Sequence, residues 1–240
     1  MVELLKNAQH AVAFTGAGIS LESGIPTFRG ENGLWSKYDP KFLELDYFYR
    51  NPQEAWRLNI EVFYQHLART KPNPAHRILA GLEKKGLIKA VITQNIDNLH
   101  QQAGSNNVIE FHGSSNRLFC IECNQQVEFK WEYLDSLPPT CQNCQGILKP
   151  GYIFFGEPIP EPARTLAFQA AETADLFLVI GTTGEVQPAS FLPVIASRNG
   201  ALIIEINPAK SNYYLDITDI YLPGGATHFM TKIEAGLAGQ

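Results

Sequence analysis

No apolar run in this chain approaches the roughly 18 residues of a membrane-spanning helix, so no membrane span is expected. Basic charge is not in excess either. Nineteen Lys and Arg against 24 Asp and Glu give a net charge of -5, and neither end carries a basic run. A general binder of nucleic acid or anionic membrane would normally present a basic face, so neither partner is expected. The opening residues, MVELLKNAQHAVAFTGAGIS, lack the basic start, long apolar core and small-residue cleavage site of a secretory leader. The expected location is the cytoplasm. Internal repeats and low-complexity segments are absent. Cysteine occurs only four times in 240 residues, all within one short region.

What is present supports a sizeable core: 45% of residues are hydrophobic. Four short apolar runs read as buried strands, at residues 11–14, 89–92, 176–180 and 201–206. Helical patterns at 75–85 and 162–173 separate some of them. Strands alternating with helices predict a parallel sheet covered on both faces, an α/β, Rossmann-like doubly wound fold. Each run leads into a polar or glycine-rich segment: TGAGIS, TQNID, GTTGE and NPAK. In such a sheet the carboxyl ends of the strands share one edge, where ligands bind. Two stretches break the pattern, a helical insertion at 31–70 and a cysteine-bearing insertion at 113–157. They are expected to pack together as a smaller zinc-binding and helical domain. Residues 1–30, 71–112 and 158–240 then form the large domain.

The cysteines follow the pattern Cys120-x2-Cys123, 17 residues, Cys141-x2-Cys144. Two CxxC turns, each aiming two thiolates at one point, complete a tetrahedron around zinc. Disulfides are the competing reading, but nothing points to an oxidising compartment. Four protein ligands leave no open position, so one structural zinc ion per chain is expected. Residues 124–140 hold one lysine and three acidic residues, which argues against a DNA-binding ribbon.

Gly16-Ala17-Gly18 has the G-x-G of a phosphate-binding strand-to-helix turn. A tight turn without a ligand is the other reading. The third glycine of a dinucleotide fingerprint would fall on Leu21, and no ribose-binding acid follows a second strand. An ordinary hydride-transferring dehydrogenase is therefore disfavoured. Histidine 112, in VIEFHGS, could be a packed strand-end residue, a metal ligand or a base. The four cysteines already supply a complete metal set. Alone, Asn95 and Asp97 would read as helix caps, Phe28 and Phe155 as core, and Glu157 as a solvated charge. His10, His66, His76, His100 and His228 make no metal set and read as ordinary packing or surface residues.

Taken in order, the motifs are more specific than any one of them. GAGIS is followed by Ser23-Gly24-Ile25-Pro26-Thr27-Phe28-Arg29-Gly30, then Thr93-Gln94-Asn95-Ile96-Asp97 and His112-Gly113. The two CxxC pairs follow, then Phe155-Gly156-Glu157, Gly181-Thr182-Thr183 and Ile206-Asn207-Pro208. In this order, from about residue 10 to 208, the chain resembles the sirtuin family of NAD-dependent protein-lysine deacylases. The resemblance implies that NAD is consumed: the acyl-lysine oxygen attacks the ribose carbon that bears nicotinamide. A histidine then deprotonates a ribose hydroxyl, and free lysine and O-acyl-ADP-ribose leave.

Carried onto this chain, the resemblance implies His112 as the base, with Asn95 positioning the reacting groups. Gly16, Ala17 and Gly18 would cradle the diphosphate. Ile25, Pro26 and Phe28 would line the nicotinamide pocket, with Arg29 ordering the loop. Gln94 would meet ribose and Asp97 the carboxamide. Gly181, Thr182, Thr183, Asn207 and Ala226 would take the adenosine side. Ile153, Phe155, Glu157, Glu185 and Val186 would clasp an extended acyl-lysine peptide.

Some positions depart from the family. Thr183 stands where serine is frequent and keeps its hydroxyl. Gly184 replaces an aliphatic residue, which is expected to loosen the substrate strand. Gly151 stands where an acidic or amide residue is common. Asn59 and Val62 replace the tyrosine and arginine of members that favour acidic acyl groups, so no strong succinyl preference is expected. A mono-ADP-ribosyltransferase using the same NAD site is the main rival, and a non-catalytic NAD-binding module the second. An intact His112 favours deacylation.

Overall fold

The computed structural model describes residues 1–28 and 33–239. Six parallel strands form its main sheet: β1 (Ala11–Thr15), β2 (Ala90–Thr93), β3 (Val108–Glu110), β7 (Leu176–Ile180), β8 (Leu202–Asn207) and β9 (Ile220–Pro223). Their order is β3-β2-β1-β7-β8-β9. β1, β2 and β7 are buried at every position, which is why they read as continuous apolar runs rather than alternating ones. Two apolar clusters sandwich this sheet, one around Leu79, Leu178 and Met230, the other around Phe14, Phe177 and Leu192. The doubly wound class expected from the sequence is what the chain adopts. β9, whose residues are only half-buried or exposed, carried no apolar-run signal and was not anticipated.

The chain builds outward from β1 to β3, then returns to β7 and builds the other way. The order therefore reverses between β1 and β7, and the loops after these two strands flank the crevice that such a reversal opens. After β1 the chain forms a seven-residue 3-10 helix, Ala17–Ser23, rather than the α-helix implied by a strand-to-helix turn. Glycines explain its close approach to the neighbouring loop. A Cβ on Gly16 would lie 2.8 Å from the Gly181 oxygen, and one on Gly18 would lie 2.7 Å from Gly181 Cα.

A second, antiparallel sheet has the order β5-β4-β6, built from β4 (Gly113–Cys120), β5 (Gln126–Glu128) and β6 (Leu148–Tyr152). It shares one apolar cluster with the helical segment, in which Phe48, Trp56, Phe63 and Tyr64 meet Leu118, Leu148 and Phe154. The indole of buried Trp56 donates to the Leu148 carbonyl at 2.7 Å, so its single polar group is satisfied across the two segments. Among the described residues, no helix is long and apolar enough to cross a membrane.

The two sheets meet at residues 110–113. Gly113 has φ +75, and a Cβ there would lie 2.3 Å from the Gly151 oxygen. A Cβ on Gly151 would in turn lie 2.6 Å from the Arg117 oxygen. Close backbone packing between β4 and β6 thus explains both glycines, including the Gly151 departure.

Candidate functional site

All four strand-end loops are tied to one another by hydrogen bonds at the crevice. Gly18 N–H donates to Gly181 O at 2.8 Å. Asn95 Nδ2 donates to Gly16 O at 3.1 Å and to Ser20 Oγ at 3.2 Å. Gln94 Nε2 reaches Thr182 Oγ1 and Asn207 Nδ2 reaches Thr182 O, both at 3.0 Å. Gly16, Gly18, Gln94, Asn95, Gly181, Thr182 and Asn207 therefore stand together. Ala226 is the first residue of the helix Ala226–Ala238, which packs against β8 and the 3-10 helix after β1. Arg29 lies outside the described residues.

A cavity opens beside this junction. Ala17, Ile25, Pro26, Phe28, Val62 and Phe63 supply its apolar wall, with Ser20, Asn95 and Asp97 as its polar end. Phe28 is held by Trp35 and Phe63, at ring distances of 5.2 and 6.1 Å. Val62 and Phe63 belong to a π-helical segment, Ile60–Tyr64, a local widening often found at functional sites. Asn59 faces elsewhere: it bonds to the Tyr152 hydroxyl and the Ala55 carbonyl.

Asp97 is buried, and desolvation raises its pKa above the ordinary carboxyl value. The Ser20 hydroxyl donates to one of its oxygens at 2.6 Å and Leu99 N–H to the other at 3.0 Å. The second bond is the helix-starting role that Asp97 alone suggested. Behind it lies a buried polar layer that the sequence reading passed over. His76 Nε2 is 3.4 Å from Ser20 Oγ, and His100 Nε2 is 3.0 Å from Thr15 Oγ1. The two rings are 4.9 Å apart. Neither histidine is ordinary packing, and the capping box Asn73-x-x-His76 was the available signal for the first.

His112, half-buried, lies between β3 and β4 with Nδ1 3.1 Å from the Gln94 carbonyl. A carbonyl only accepts, so the proton sits on Nδ1 and Nε2 keeps its lone pair. Burial lowers its pKa below 6.5, partly opposed by the Gln94 carbonyl. The ring is therefore neutral near pH 7.

On the far side of His112, its carbonyl accepts from Ile153 N–H at 2.9 Å. Phe155 is 52% exposed, but its N–H donates to Leu43 O at 2.7 Å and its carbonyl accepts from Leu45 N–H at 3.1 Å. What it presents to a ligand is the ring. Glu157 is no solvated charge; its carboxylate pairs with Lys149 at 3.0 Å. Glu185 and Val186 follow Gly184, whose missing side chain is replaced in space by the Tyr213 ring, 2.7 Å from where a Cβ would be. Tyr213 also donates to Ser190 O at 3.2 Å, so the loop expected to be loosened by Gly184 is packed instead.

The four thiols converge, with all Sγ atoms within 4.8 Å of one another. The Cys120–Cys144 and Cys123–Cys141 pairs are 3.4 and 3.8 Å apart. Disulfide sulfurs would be about 2 Å apart, whereas thiolates about 2.3 Å from a tetrahedral zinc are about 3.8 Å apart. The donor set fits structural zinc, with Cys120, Cys123, Cys141 and Cys144 as its ligands. Each CxxC turn closes on a residue with positive φ, Asn124 and Gln145.

The Sir2 family profile matches residues 16–188. An NAD-dependent protein deacylase of Aeropyrum pernix is 45% identical over 98% of this chain and 95% of its own. A solved Sir2–p53 peptide–NAD+ complex superposes with TM-score 0.90 at 36% identity, covering 100% of this chain and 98% of that one. A Sir2 variant solved with deacetylated p53 peptide and 3'-O-acetyl ADP ribose gives TM-score 0.92 at 37% identity, over 98% of this chain and 96% of that one. A doubly wound sheet with this crevice and a four-thiol module defines a two-part nucleotide-binding fold. The chain belongs to the Sir2, or sirtuin, family.

Two outcomes follow from the site. Treatment with a strong zinc chelator should expose the backbone amides of β4, β5 and β6 to hydrogen exchange before those of the parallel sheet; simultaneous opening of both would deny zinc that local role. Burial holds His76 at about 4 and His100 at about 3, well below the roughly 6.5 of an unfolded histidine. The unfolded chain then binds more protons between these values, so stability falls as pH drops from about 6.5 toward 4 and below. Each ring adds about 1.4 kcal/mol per pH unit in that window. In urea titrations across pH 4–6, His100→Gln should reduce the slope by about one proton; an unchanged slope would mean the ring is already charged in the fold.

Proposed function

We propose that this protein removes acyl groups, above all acetyl, from lysine side chains of peptides and proteins while consuming NAD. The observation that carries the reading is His112: a neutral imidazole whose Nδ1 proton is held by Gln94 O at 3.1 Å, leaving Nε2 to accept a proton. NAD would supply the glycosidic bond whose loss of nicotinamide opens the ribose to the acyl oxygen. Gly16, Ala17 and Gly18 would cradle the diphosphate at the loop that the Gly16 and Gly18 N–H groups fix by donating to Ile180 O and Gly181 O, and Gly181, Thr182, Thr183, Asn207 and Ala226 would take the adenosine side. Ile25, Pro26 and Phe28 would exclude water from nicotinamide, with Asp97 meeting its carboxamide and Asn95 positioning the reacting groups. Gln94 would orient ribose. Arg29 belongs to this set on sequence grounds. Ile153, the ring of Phe155, the Glu157 backbone, Glu185 and Val186 would border the peptide.

Transfer of ADP-ribose to another side chain would use the same pocket but would not need a base of this tautomer, so deacylation is preferred. Among the described residues, the cavity is lined by no arginine or lysine that would hold an acidic acyl group. A cytoplasmic location accords with four cysteines arranged to bind zinc, which an oxidising compartment would tend to join as disulfides.

The test follows nicotinamide and deacylated peptide together, with acetyl- and succinyl-lysine peptides. Acetyl peptide should be the better substrate, and His112→Ala should lower kcat by about 100- to 10,000-fold. Because the His112 pKa is lowered, the acid limb of kcat/KM should lie below pH 6.5. Full deacylation by the variant would rule out His112 as the base, and an acid limb above 6.5 would rule out its burial as the tuning factor.

A further inference from the structure

Lys149 belongs to none of the motifs above, yet it is the one lysine or arginine among the buried described residues, at 7% exposure. All three of its N–H donors are used. Its ammonium donates to the Pro150 and Tyr152 carbonyls at 2.9 Å each and meets Glu157 Oε2 at 3.0 Å. The Phe154 ring covers it, with the ring centre 4.2 Å away. The same Glu157 oxygen accepts Phe154 N–H at 2.6 Å, and Glu157 N–H returns to Phe154 O at 3.0 Å. Residues 154–157 thus form a turn closed at both ends, with Gly156 at φ +97 on its tip.

This turn is anchored on every side but one. Ile153 N–H is bound to His112 O, and the backbone of Phe155 is bound to Leu43 and Leu45. Gly156 alone in the turn has both backbone groups without an internal partner among the described residues. It is also exposed, and a Cβ there would meet nothing within 4 Å. On the deacylase reading, in which residues 153–157 border an extended peptide, that chain would find its hydrogen-bonding edge at this tip.

We propose that Lys149 is the positioning residue for the peptide: its ammonium bridges β6 to Glu157 and fixes the turn whose Gly156 edge pairs with the substrate backbone. The proposal rests on the deacylase reading of the same cleft. Lys149→Met keeps the stem but leaves two carbonyls without their donor and the half-buried Glu157 carboxylate without its cation. The turn then loses its fixed edge, while the NAD side, built from other loops, is unaffected.

The experiment compares an acetyl-lysine peptide with flanking residues against acetyl-lysine capped at both ends, which has no strand to add. For Lys149→Met, KM for the peptide should rise about tenfold or more. KM for NAD, and kcat/KM for the capped amino acid, should stay within about twofold. Lys149→Arg, which keeps charge and donors, should recover most of the loss. The double variant Lys149→Met/Glu157→Gln removes both charges, so no ion is stranded in the interior if the single variant folds poorly; it should show the same peptide-selective loss. An equal loss on both substrates, or an unchanged peptide KM in the double variant, would overturn the role of Lys149. A wild-type protein inactive on both substrates would instead overturn the deacylase reading beneath it.

Discussion

The site depends on two backbones coming closer than side chains allow. Gly18 N–H donates to the Gly181 carbonyl at 2.8 Å, across the point where the sheet reverses its winding. Any Cβ at Gly16, Gly18 or Gly181 would overlap the opposing loop. Because these loops touch, Asn95 can reach both Gly16 and Ser20, and Thr182 can be met by Gln94 and Asn207. Spread the two loops by the width of one methyl group and the polar ring around the cavity would lose its shared partners.

Desolvation sets the chemistry of what lies inside that ring. Burial acts in opposite directions on acids and imidazoles, raising Asp97 and lowering His76, His100 and His112. The polar layer of Thr15, Ser20, Thr93, His76 and His100 sits beneath the cavity in a neutral form. It orients hydroxyl and amide groups without placing a fixed positive charge beneath the cavity. Low charge here is a property of the environment more than of the residue types.

Much of this was legible in the sequence because each motif ends a strand, and strand ends of a parallel sheet must share an edge. The GAGIS, TQNID and GTT segments therefore pointed to one place, and the thiol spacing pointed independently to a separate metal site. Side-chain partnerships across the fold were not legible. Even where the partners are close in sequence, nothing near Lys149 announces that Phe154, five positions on, will cover its ammonium or that Glu157 will pair with it. Gly184 looked like a weakness because its filler, Tyr213, lies 29 positions away. Gly113 gave no sign in its own segment that its positive φ and the nearby Gly151 oxygen make it a demand of backbone packing. The histidines at 76 and 100 looked unremarkable for the same reason: their hydroxyl partners, Ser20 and Thr15, lie 56 and 85 positions away.

The pairing of Gly113 with Tyr152 gives the junction between the two sheets a further meaning. His112 is the last residue before the chain crosses from one sheet to the other, and its carbonyl already holds Ile153. The imidazole and the segment that begins at Ile153 are thus carried by one junction. Any displacement of the smaller sheet against the larger would move both together, so their spacing is a property of the backbone rather than of two independently mounted loops.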